Sequence, residues 1–351
     1  MAAVEEGPAQ PPAHHVAAPA EKAPALSVRD LHAHYRVSHF GIQRDVRAVD
    51  GITLAVGRNE IYGLAGESSS GKSTLVKTIA RAIRPPLFHV GGDVVFEFKD
   101  TGRVSLYELP EDALARLRWR NLSYIMQASM SVLNPVRRVR HSFTDFAFRH
   151  IGKPVPAFWA LVAEHLERLH LSPAVLDSYP HELSGGMRQR VTIALATVCR
   201  PDFVIADEPT TALDVVVQKG VLNMIREVQQ QIGSSVLFVT HDMAVHAYLT
   251  DRLGIMYAGR LVEEGPTREI LRAPQHPYTR HLVASLPRIG DRSERRGLEG
   301  RPPSLAAPPP GCRFHPRCPL AMPICAQEAP PLVNIAHQHR VACHAVAQGR
   351  A

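Results

Sequence analysis

The sequence predicts an α/β fold around a mainly parallel β-sheet, with a helical insertion and a small cysteine-rich module near its C-terminal end. Short apolar runs alternate with helical patterns through most of the 351 residues, and strands followed by helices are typical of a parallel sheet covered on both faces. A glycine-rich motif joins one such run to a helix. Four of the five cysteines lie in the last 40 residues.

The composition fits a globular protein, with 45% hydrophobic and 21% charged residues. The longest apolar stretches have about eight residues, well short of the roughly 20 that cross a bilayer, so a membrane role would require a partner.

Residues 1–25 are rich in Ala and Pro and contain Glu5 and Glu6, which predicts a disordered extension instead of a secretory signal. The net charge is +7, but the basic residues are scattered except in 288–296. We interpret that run as a solvated linker and expect no nucleic-acid partner.

Five apolar runs of four or five residues are the expected strands of the sheet. They are residues 61–65, 122–126, 203–206, 236–240 and 253–257. No such run occurs from 129 to 180, where Phe158, Leu161, Val162, Leu166 and Leu169 recur at helical spacing. The pattern therefore predicts one domain over 26–287 with a helical insertion at about 129–185.

The motif after the first strand predicts a nucleoside triphosphate site. Its spacing, G-x-x-x-x-G-K-S/T, is formed by Gly66, Glu67, Ser68, Ser69, Ser70, Gly71, Lys72, Ser73 and Thr74. Backbone N–H groups and a helix N-terminus surround the phosphates in such a loop, Lys72 reaches the β and γ oxygens, and the Ser73 hydroxyl binds Mg²⁺.

Further motifs follow in order along the chain. Ser184, Gly185 and Gly186 begin an amphipathic helix, where an N-cap serine and two glycines expose backbone donors for a second anion; alone, they would equally fit an ordinary cap and turn. The apolar strand at 203–206 ends in Asp207 and Glu208, which suit Mg²⁺ binding through water and polarisation of an attacking water, respectively.

The order of these motifs resembles that of the ATP-binding-cassette (ABC) ATPases over about residues 26–287, with Gln127, Asp214 and His241 at the positions of the Q-loop, D-loop and switch histidine. The resemblance implies an ABC-type P-loop ATPase core. It also implies that two cassettes pack head to tail, so that the phosphate loop of one and the signature of the other hold each ATP between them.

Carried over to this sequence, the resemblance assigns nucleotide and Mg²⁺ contacts to five side chains. Tyr35 would stack on adenine, and Lys72 and Ser73 would hold phosphate and Mg²⁺. Gln127 would sense the γ-phosphate and couple the site to the transporter, and it would share the Mg²⁺ with Ser73 and Asp207.

The resemblance also assigns the catalytic and cross-cassette roles. Glu208 would be the general base, and His241 would hold the γ-phosphate and the water in line. Asp214 would bridge the cassettes, while residues 184–186 would close on the opposite nucleotide. Because Glu208 and His241 are both present, we expect a hydrolytic site.

Two positions depart from the family pattern. Ser69 stands where most of these loops have their middle glycine, so a Cβ occupies a position of required backbone freedom, and weaker nucleotide affinity is expected. Met187 stands where glutamine is commonest in the signature, but that residue does not donate to phosphate.

The clustered cysteines Cys312, Cys318, Cys325 and Cys343 indicate a metal site, because a cytosolic ATPase has little use for disulfides. Zinc and an iron–sulfur cluster both accept four thiolates. The gaps of five, six and 17 residues do not match a CxxC zinc ribbon, although spacing alone does not decide the metal. Cys199, on a predicted helix, is expected to be a packed, inert thiol.

Four segments resemble the dipeptide and oligopeptide permease ATPases: residues 131–135, 276–279, 311–319 and 339–344. By this resemblance, the four cysteines of a module at 311–347 hold a [4Fe–4S] cluster, with zinc as the alternative. The linker at 288–310 is Pro- and Arg-rich and is expected to be extended. A structural staple is the expected role of the metal.

The resemblance implies an ATPase that powers peptide import from the cytoplasmic face of the membrane. Its partners would be a second ABC ATPase, expected to be a different chain although a homodimer remains open, two transmembrane permease subunits and an extracytoplasmic solute-binding protein. Import of nickel or an oligosaccharide is an alternative, as is a nucleotide-binding regulator with little turnover.

Two other classes of cassette protein do not fit the sequence. A chromosome or repair ATPase would need a long coiled coil between Lys72 and Ser184, where only about 110 residues lie, without sustained heptads. A translation factor would need a second phosphate loop, which the sequence lacks.

Overall fold

The computed structural model of the protein describes residues 23–39, 42–127, 132–211, 213–286 and 298–350. The basic run at 288–296, Ser131, and nearly all of the predicted extension at 1–25 lie outside these residues.

The predicted parallel sheet is present. Its five parallel strands are β3 (Ile61–Ala65), β6 (Leu122–Ile125), β7 (Phe203–Asp207), β8 (Ser235–Val239) and β9 (Arg252–Tyr257). Their order across the sheet is β9-β3-β8-β7-β6, and every neighbouring pair among them is parallel. The expected strands at 122–126 and 236–240 each end one residue earlier than predicted.

Successive residues of these strands face two different hydrophobic cores. Ile61, Val204 and Phe238 pack on one side, while Tyr62 and Ile205 pack on the other. This alternation follows from the two-residue period of a strand. It explains why strands covered on both faces have continuous apolar sequences.

One face of the sheet is covered by a second, antiparallel sheet that the sequence patterns did not predict. Its strands are β1 (Leu26–His39), β2 (Ile42–Val56), β4 (Leu87–Phe98) and β5 (Gly102–Ser105), in the order β2-β1-β4-β5. Helix α1 (Lys72–Ile79) lies in the core that this sheet shares with the parallel one.

Helices pack on the other face of the parallel sheet, and the described residues between β6 and β7 contain no strand. The other helices are α2 (Glu111–Leu117), α3 (Val139–Phe146), α4 (Phe148–Ile151), α5 (Val155–Arg168), α6 (Gly185–Thr197), α7 (Val215–Ile232), α8 (Met243–Leu249), α9 (Thr267–Arg272), α10 (Pro277–Ala284) and α11 (His344–Ala347). None of the helices found in the described ranges has the length and apolarity that a membrane span requires.

The C-terminal residues join the main sheet. Strands β10 (Arg260–Pro266), β11 (Val333–Ala336) and β12 (His339–Val341) extend it in the order β11-β12-β10-β9, with all three pairings antiparallel. The change in composition near residue 287 is therefore not a break in the packing. In the expected extended linker, the described residues contain a turn in which Ala307 N–H donates to Ser304 O at 3.2 Å.

Candidate functional site

The phosphate loop joins the end of β3 to the start of α1 and lines a pocket of about 480 Å³. Lys72 is buried and folded onto the loop, where its Nζ donates to Gly66 O at 2.6 Å and to Glu67 O at 3.0 Å. Burial lowers the pKa of Lys72, while the nearby Glu208, Asp207 and Glu67 raise it. An ammonium group held by carbonyl oxygens in this way is placed to turn to a phosphate.

Two glycines of the loop are required by close backbone contacts. A Cβ on Gly66 would lie 2.2 Å from Met256 O, and one on Gly71 would lie 2.1 Å from Ala48 O. Both glycines have positive φ, as does Ser69, whose φ is +65°. Ser69 thus adopts the left-handed conformation that glycine usually supplies here, at a cost of about 1 kcal/mol.

A pair of oxygens beside the loop suits a magnesium ion. Asp207 is fully buried at the end of β7, where it accepts hydrogen bonds from Ser73 Oγ at 3.3 Å and from Tyr124 OH at 3.2 Å. Burial raises the pKa of Asp207, and those two hydrogen bonds oppose the increase. Carboxylate and hydroxyl oxygens are ligands that Mg²⁺ prefers, so the predicted pair Ser73 and Asp207 fits the ion.

Glu208 and His241 face each other at the same pocket. His241 Nδ1 lies 3.0 and 3.1 Å from the two Glu208 carboxylate oxygens, and Thr211 Oγ1 donates to Glu208 at 2.7 Å. Burial alone would raise the pKa of Glu208, but these hydrogen bonds and the charges of His241 and Lys72 outweigh it, so the pKa is lowered. Glu208 has φ +51°, a strained conformation of the kind found at functional sites.

Tyr35 and Gln127 complete the pocket in this chain. Tyr35 lies at its apolar end beside Val46 and Ala48, with its hydroxyl 3.1 Å from Thr74 Oγ1. Gln127 is exposed and also lines the pocket. The pocket therefore includes both an aromatic ring and an amide besides the loop.

The signature and Asp214 lie elsewhere: of the described residues lining this pocket, none comes from 184–186. Ser184 caps α6 by accepting from Met187 N at 3.3 Å, and Asp214 caps α7 by accepting from Val217 N at 2.9 Å. Next to Asp214, Val216 is 82% exposed. Within a single chain, the phosphate loop and the signature therefore lie apart.

Sequence reasoning missed three residues that contact the pocket or its loop. Leu305 lines the pocket, Tyr278 OH accepts from the Glu67 backbone N at 2.7 Å, and Arg317 Nη1 donates to Glu67 Oε2 at 3.0 Å. All three follow the nucleotide motifs by more than 35 residues in the chain. Tyr278 belongs to one of the segments noted for resemblance, but nothing in the spacing relates it to the loop.

The four clustered cysteines are free thiols near one another. Burial raises the pKa of Cys312 to about 11, and Cys325, Cys318 and Cys343 add to the increase. Across the described residues, no three of these thiols lie within 4.8 Å of one another.

A second group with the composition of a metal site is explained by charge pairing. His32, His34 and Asp50 bring three possible ligand atoms within 4.8 Å. However, Asp50 already binds Arg313 and, at 3.3 Å, Arg260. Two fixed guanidinium charges oppose a divalent ion there, and we assign Asp50 to holding Arg313.

A separate apolar groove of about 720 Å³ lies near the end of β6. Trp119 and Phe146 stack in it with ring centroids 5.0 Å apart. Met126, Val132 and Phe146 are 45%, 40% and 37% exposed. Exposed apolar side chains grouped in a groove are typical of a protein-binding surface.

Comparison with known proteins places this geometry in context. Residues 49–211 match the family described as ABC transporter, and residues 262–325 match the oligopeptide/dipeptide transporter, C-terminal region. The chain is 39% identical to the dipeptide transport ATP-binding protein DppD of Caldanaerobacter subterraneus subsp. tengcongensis, over 93% of this chain and 98% of the relative. It is 36% identical to the oligopeptide transport ATP-binding protein AppF of Bacillus subtilis, over 91% and 96% of the two chains.

A solved structure shows the same fold. The dimeric ATP-binding cassette MJ0796, described in a post-hydrolysis state bound to ADP and Pi, matches with a TM-score of 0.59 at 23% identity. The match covers 69% of this chain and 99% of the other.

Proposed function

The chain belongs to the ABC transporter ATP-binding proteins of the oligopeptide/dipeptide type, and from this premise we propose that it hydrolyses ATP to power peptide import. The observation that carries the proposal is the contact between Glu208 and His241 beside the buried Lys72. It puts a base, a histidine and a phosphate-binding cation in one pocket. The C-terminal region supports peptides as the solute over nickel or an oligosaccharide.

The residues in and beside the pocket divide the chemistry of hydrolysis. Lys72 would leave the loop carbonyls to bind the β and γ oxygens. Ser73, Asp207 and Gln127 would hold Mg²⁺, which would supply neutralisation of the phosphate charge. Tyr35 stacks on the base.

Glu208, which contacts His241, would activate the attacking water. Because its pKa is lowered, Glu208 is ionised at neutral pH and can accept a proton from water. His241 donates to the γ-phosphate and keeps the water in line with it.

A second cassette completes the site. Residues 184–186 would offer Ser184 and two backbone N–H groups to the nucleotide on the opposite chain, and Asp214 would bridge the two. The exposed Val215 and Val216 beside Asp214 suit burial at that interface. The second cassette is expected to be a related but different ATPase.

The apolar groove defined above would receive the transmembrane subunits. A helix from one permease subunit would fit this surface of exposed Met126, Val132 and Phe146, and the second cassette would receive the other subunit. Met126 of the groove directly precedes Gln127 in the chain. A permease helix docked in the groove would therefore act next to the proposed γ-phosphate sensor. In this arrangement the chain would lie at the cytoplasmic face, and a solute-binding protein would lie on the other side.

The four cysteines would hold a [4Fe–4S] cluster, with zinc as the alternative. Cys312, Cys318, Cys325 and Cys343 are free thiols and supply the four thiolates that either centre accepts. Iron, sulfide and zinc analysis with an absorbance spectrum, on anaerobically purified protein, tests this. About four irons per chain and a band near 400 nm, both lost in Cys318→Ser, are expected. Zinc in place of iron would contradict the cluster.

ATP turnover tests the proposed function. With the partner ATPase present, Glu208→Gln should lower kcat by about 100-fold or more, because general-base catalysis contributes 10²–10⁴-fold, yet it should still bind ATP. Glu227→Gln, an exposed glutamate on α7, is the matched control. Equal turnover by Glu208→Gln and the wild type would contradict the catalytic role, and little turnover in either would favour a regulator.

A further inference from the structure

The C-terminal residues contact both the nucleotide pocket and its phosphate loop. Leu305 lines the pocket together with Tyr35, and its carbonyl accepts from Arg47 N at 2.9 Å. Arg317 reaches the phosphate loop at Glu67. Leu305 and Arg317 therefore connect the C-terminal region to the pocket and to its phosphate loop.

The contact between Arg317 and Glu67 has a well-defined geometry. Arg317 donates from Nη1 to Glu67 Oε2 at 3.0 Å and from Nη2 to Oε1 at 3.4 Å, and also to Tyr257 OH at 3.2 Å. The Arg317 side chain is 6% exposed and that of Glu67 is 25% exposed. A paired, two-pronged contact of this kind fixes orientation as well as charge.

Arg317 is itself held by the four-cysteine module. It ends a short turn, His315–Arg317, and directly precedes Cys318. The neighbouring Arg313 is anchored to Ala258 O and Asp50 in the cassette. Phe314 packs against Tyr257 with centroids 5.1 Å apart. The position of the guanidinium thus depends on the folded module.

Building on the proposed function, we propose that residues 298–350 form a wall of the nucleotide site, with Arg317 as a positioning residue for Glu67 and Leu305 as a contact at the base end. The affinity of the chain for ATP then depends on an intact four-cysteine centre. The physical reason is charge: Glu67 lies in a loop that must receive a triphosphate, and Arg317 neutralises its carboxylate and turns it away.

Binding of Mg²⁺ and the non-hydrolysable analogue AMP-PNP, titrated into the full chain, tests this. Arg317→Ala should raise Kd about fivefold to tenfold, the size expected for one uncompensated charge near phosphates at a partly screened site. Arg301→Ala, an exposed arginine of the same segment, should leave Kd unchanged. Leu305→Ala should weaken binding, and Leu298→Ala, a half-buried leucine outside the pocket, should not.

A double variant distinguishes a positioning role of Arg317 from a role in stability alone. Glu67→Gln combined with Arg317→Ala should restore Kd to near the wild-type value, because the repelling carboxylate is gone. Cys318→Ser should weaken binding as much as Arg317→Ala does. A role in folding alone would give no rescue.

The outcomes distinguish the two proposals. If the wild type binds AMP-PNP and Lys72→Ala does not, but Arg317→Ala, Leu305→Ala and Cys318→Ser all bind like the wild type, this inference is wrong and the ATP site stands. If the wild type does not bind, the proposed function fails as well. Failure of Glu67→Gln to rescue Arg317→Ala would overturn the charge mechanism.

Discussion

Ser69 holds a backbone conformation that side chains seldom adopt, in the loop that binds phosphate. Its φ of +65° is tolerated by serine at modest cost, but a β-branched residue there is strained much further. We expect Ser69→Val to lose about 1–2 kcal/mol of unfolding free energy, measured by urea denaturation. Ser68→Val is the matched control, since Ser68 is exposed with ordinary φ. Equal losses in the two variants would contradict the assignment of strain to Ser69.

His165 is predicted to make stability depend on pH. It is buried, with Nε2 2.9 Å from Thr197 Oγ1, and burial, with help from Arg168 and Arg200, lowers its pKa to about 4. The unfolded chain takes up this proton below pH 6.5, whereas the folded protein does not until about pH 4. The contribution of neutral His165 to stability is therefore complete above pH 6.5 and is lost as the pH falls from 6.5 to 4.

The variant His165→Gln measures this contribution. Between pH 7.5 and pH 5 the wild type should lose about 2 kcal/mol more unfolding free energy than the variant. Comparison at pH 7.5 separates the cost of the substitution itself from the titration. Parallel pH profiles would show that His165 does not titrate in this way.

Most of the chemistry of the candidate site could be predicted from the sequence, because its residues lie at the ends of strands or starts of helices. Glu208 and His241 each follow an apolar strand, and the carboxyl ends of neighbouring parallel strands meet at one edge of the sheet. Arg317 and Leu305 could not be found in this way. Their contacts depend on how a segment without periodicity folds back, and no local pattern encodes that.

At the level of elements, the strands buried on both faces were predictable, and the others were not. The antiparallel strand β1 mixes His32 and His34 with apolar residues on a half-covered surface, so it lacks a continuous apolar run. Strand β11 has only four residues, all at least partly exposed. Although β1–β2 and β11–β12 are local hairpins, β1 also pairs with the distant β4, and β12 joins the main sheet through the distant β10.

The contact between β10 and β12 should be a major source of stability for the C-terminal strands. His339 donates to Glu263 at 2.8 Å, and both side chains are buried. His339→Ala would leave the carboxylate short of a partner, at a cost of about 2–3 kcal/mol. His337→Ala, at an exposed position on the same turn, should change unfolding free energy by less than about 0.5 kcal/mol. Similar melting curves for the two variants would contradict a stabilising role of the contact between His339 and Glu263.

For the whole molecule, the separation of the loop and the signature predicts that binding and turnover can be uncoupled. Ser184 does not line the pocket of its own chain, so Ser184→Arg should bind AMP-PNP like the wild type. With a partner cassette present, it should lose most ATP turnover, because the bulky cation blocks closure on the opposite nucleotide. Lys72→Ala should lose both. Weakened nucleotide binding by the isolated Ser184→Arg chain would contradict the half-site arrangement.

The coupling between the nucleotide pocket and the four-cysteine module must act in both directions. If loss of the module's fold weakens AMP-PNP binding about tenfold, AMP-PNP must stabilise that fold by the same factor, about 1.4 kcal/mol. Hydrogen exchange of amides in residues 311–347 measures this directly, since local opening sets the exchange rate. Exchange there should slow by up to about tenfold with saturating AMP-PNP in the wild type.

The variant Arg317→Ala shows whether the ion pair carries that coupling. Its module should gain much less protection from AMP-PNP, whereas the amides of α1, which begins at the phosphate loop, should be protected by the nucleotide in both proteins. Equal protection of the module in both proteins would mean that Leu305 and the aromatic contacts of Phe314 transmit the effect without Arg317. Because Arg317 is the only arginine of the described residues that pairs with Glu67, we expect the protection of the module to depend on it.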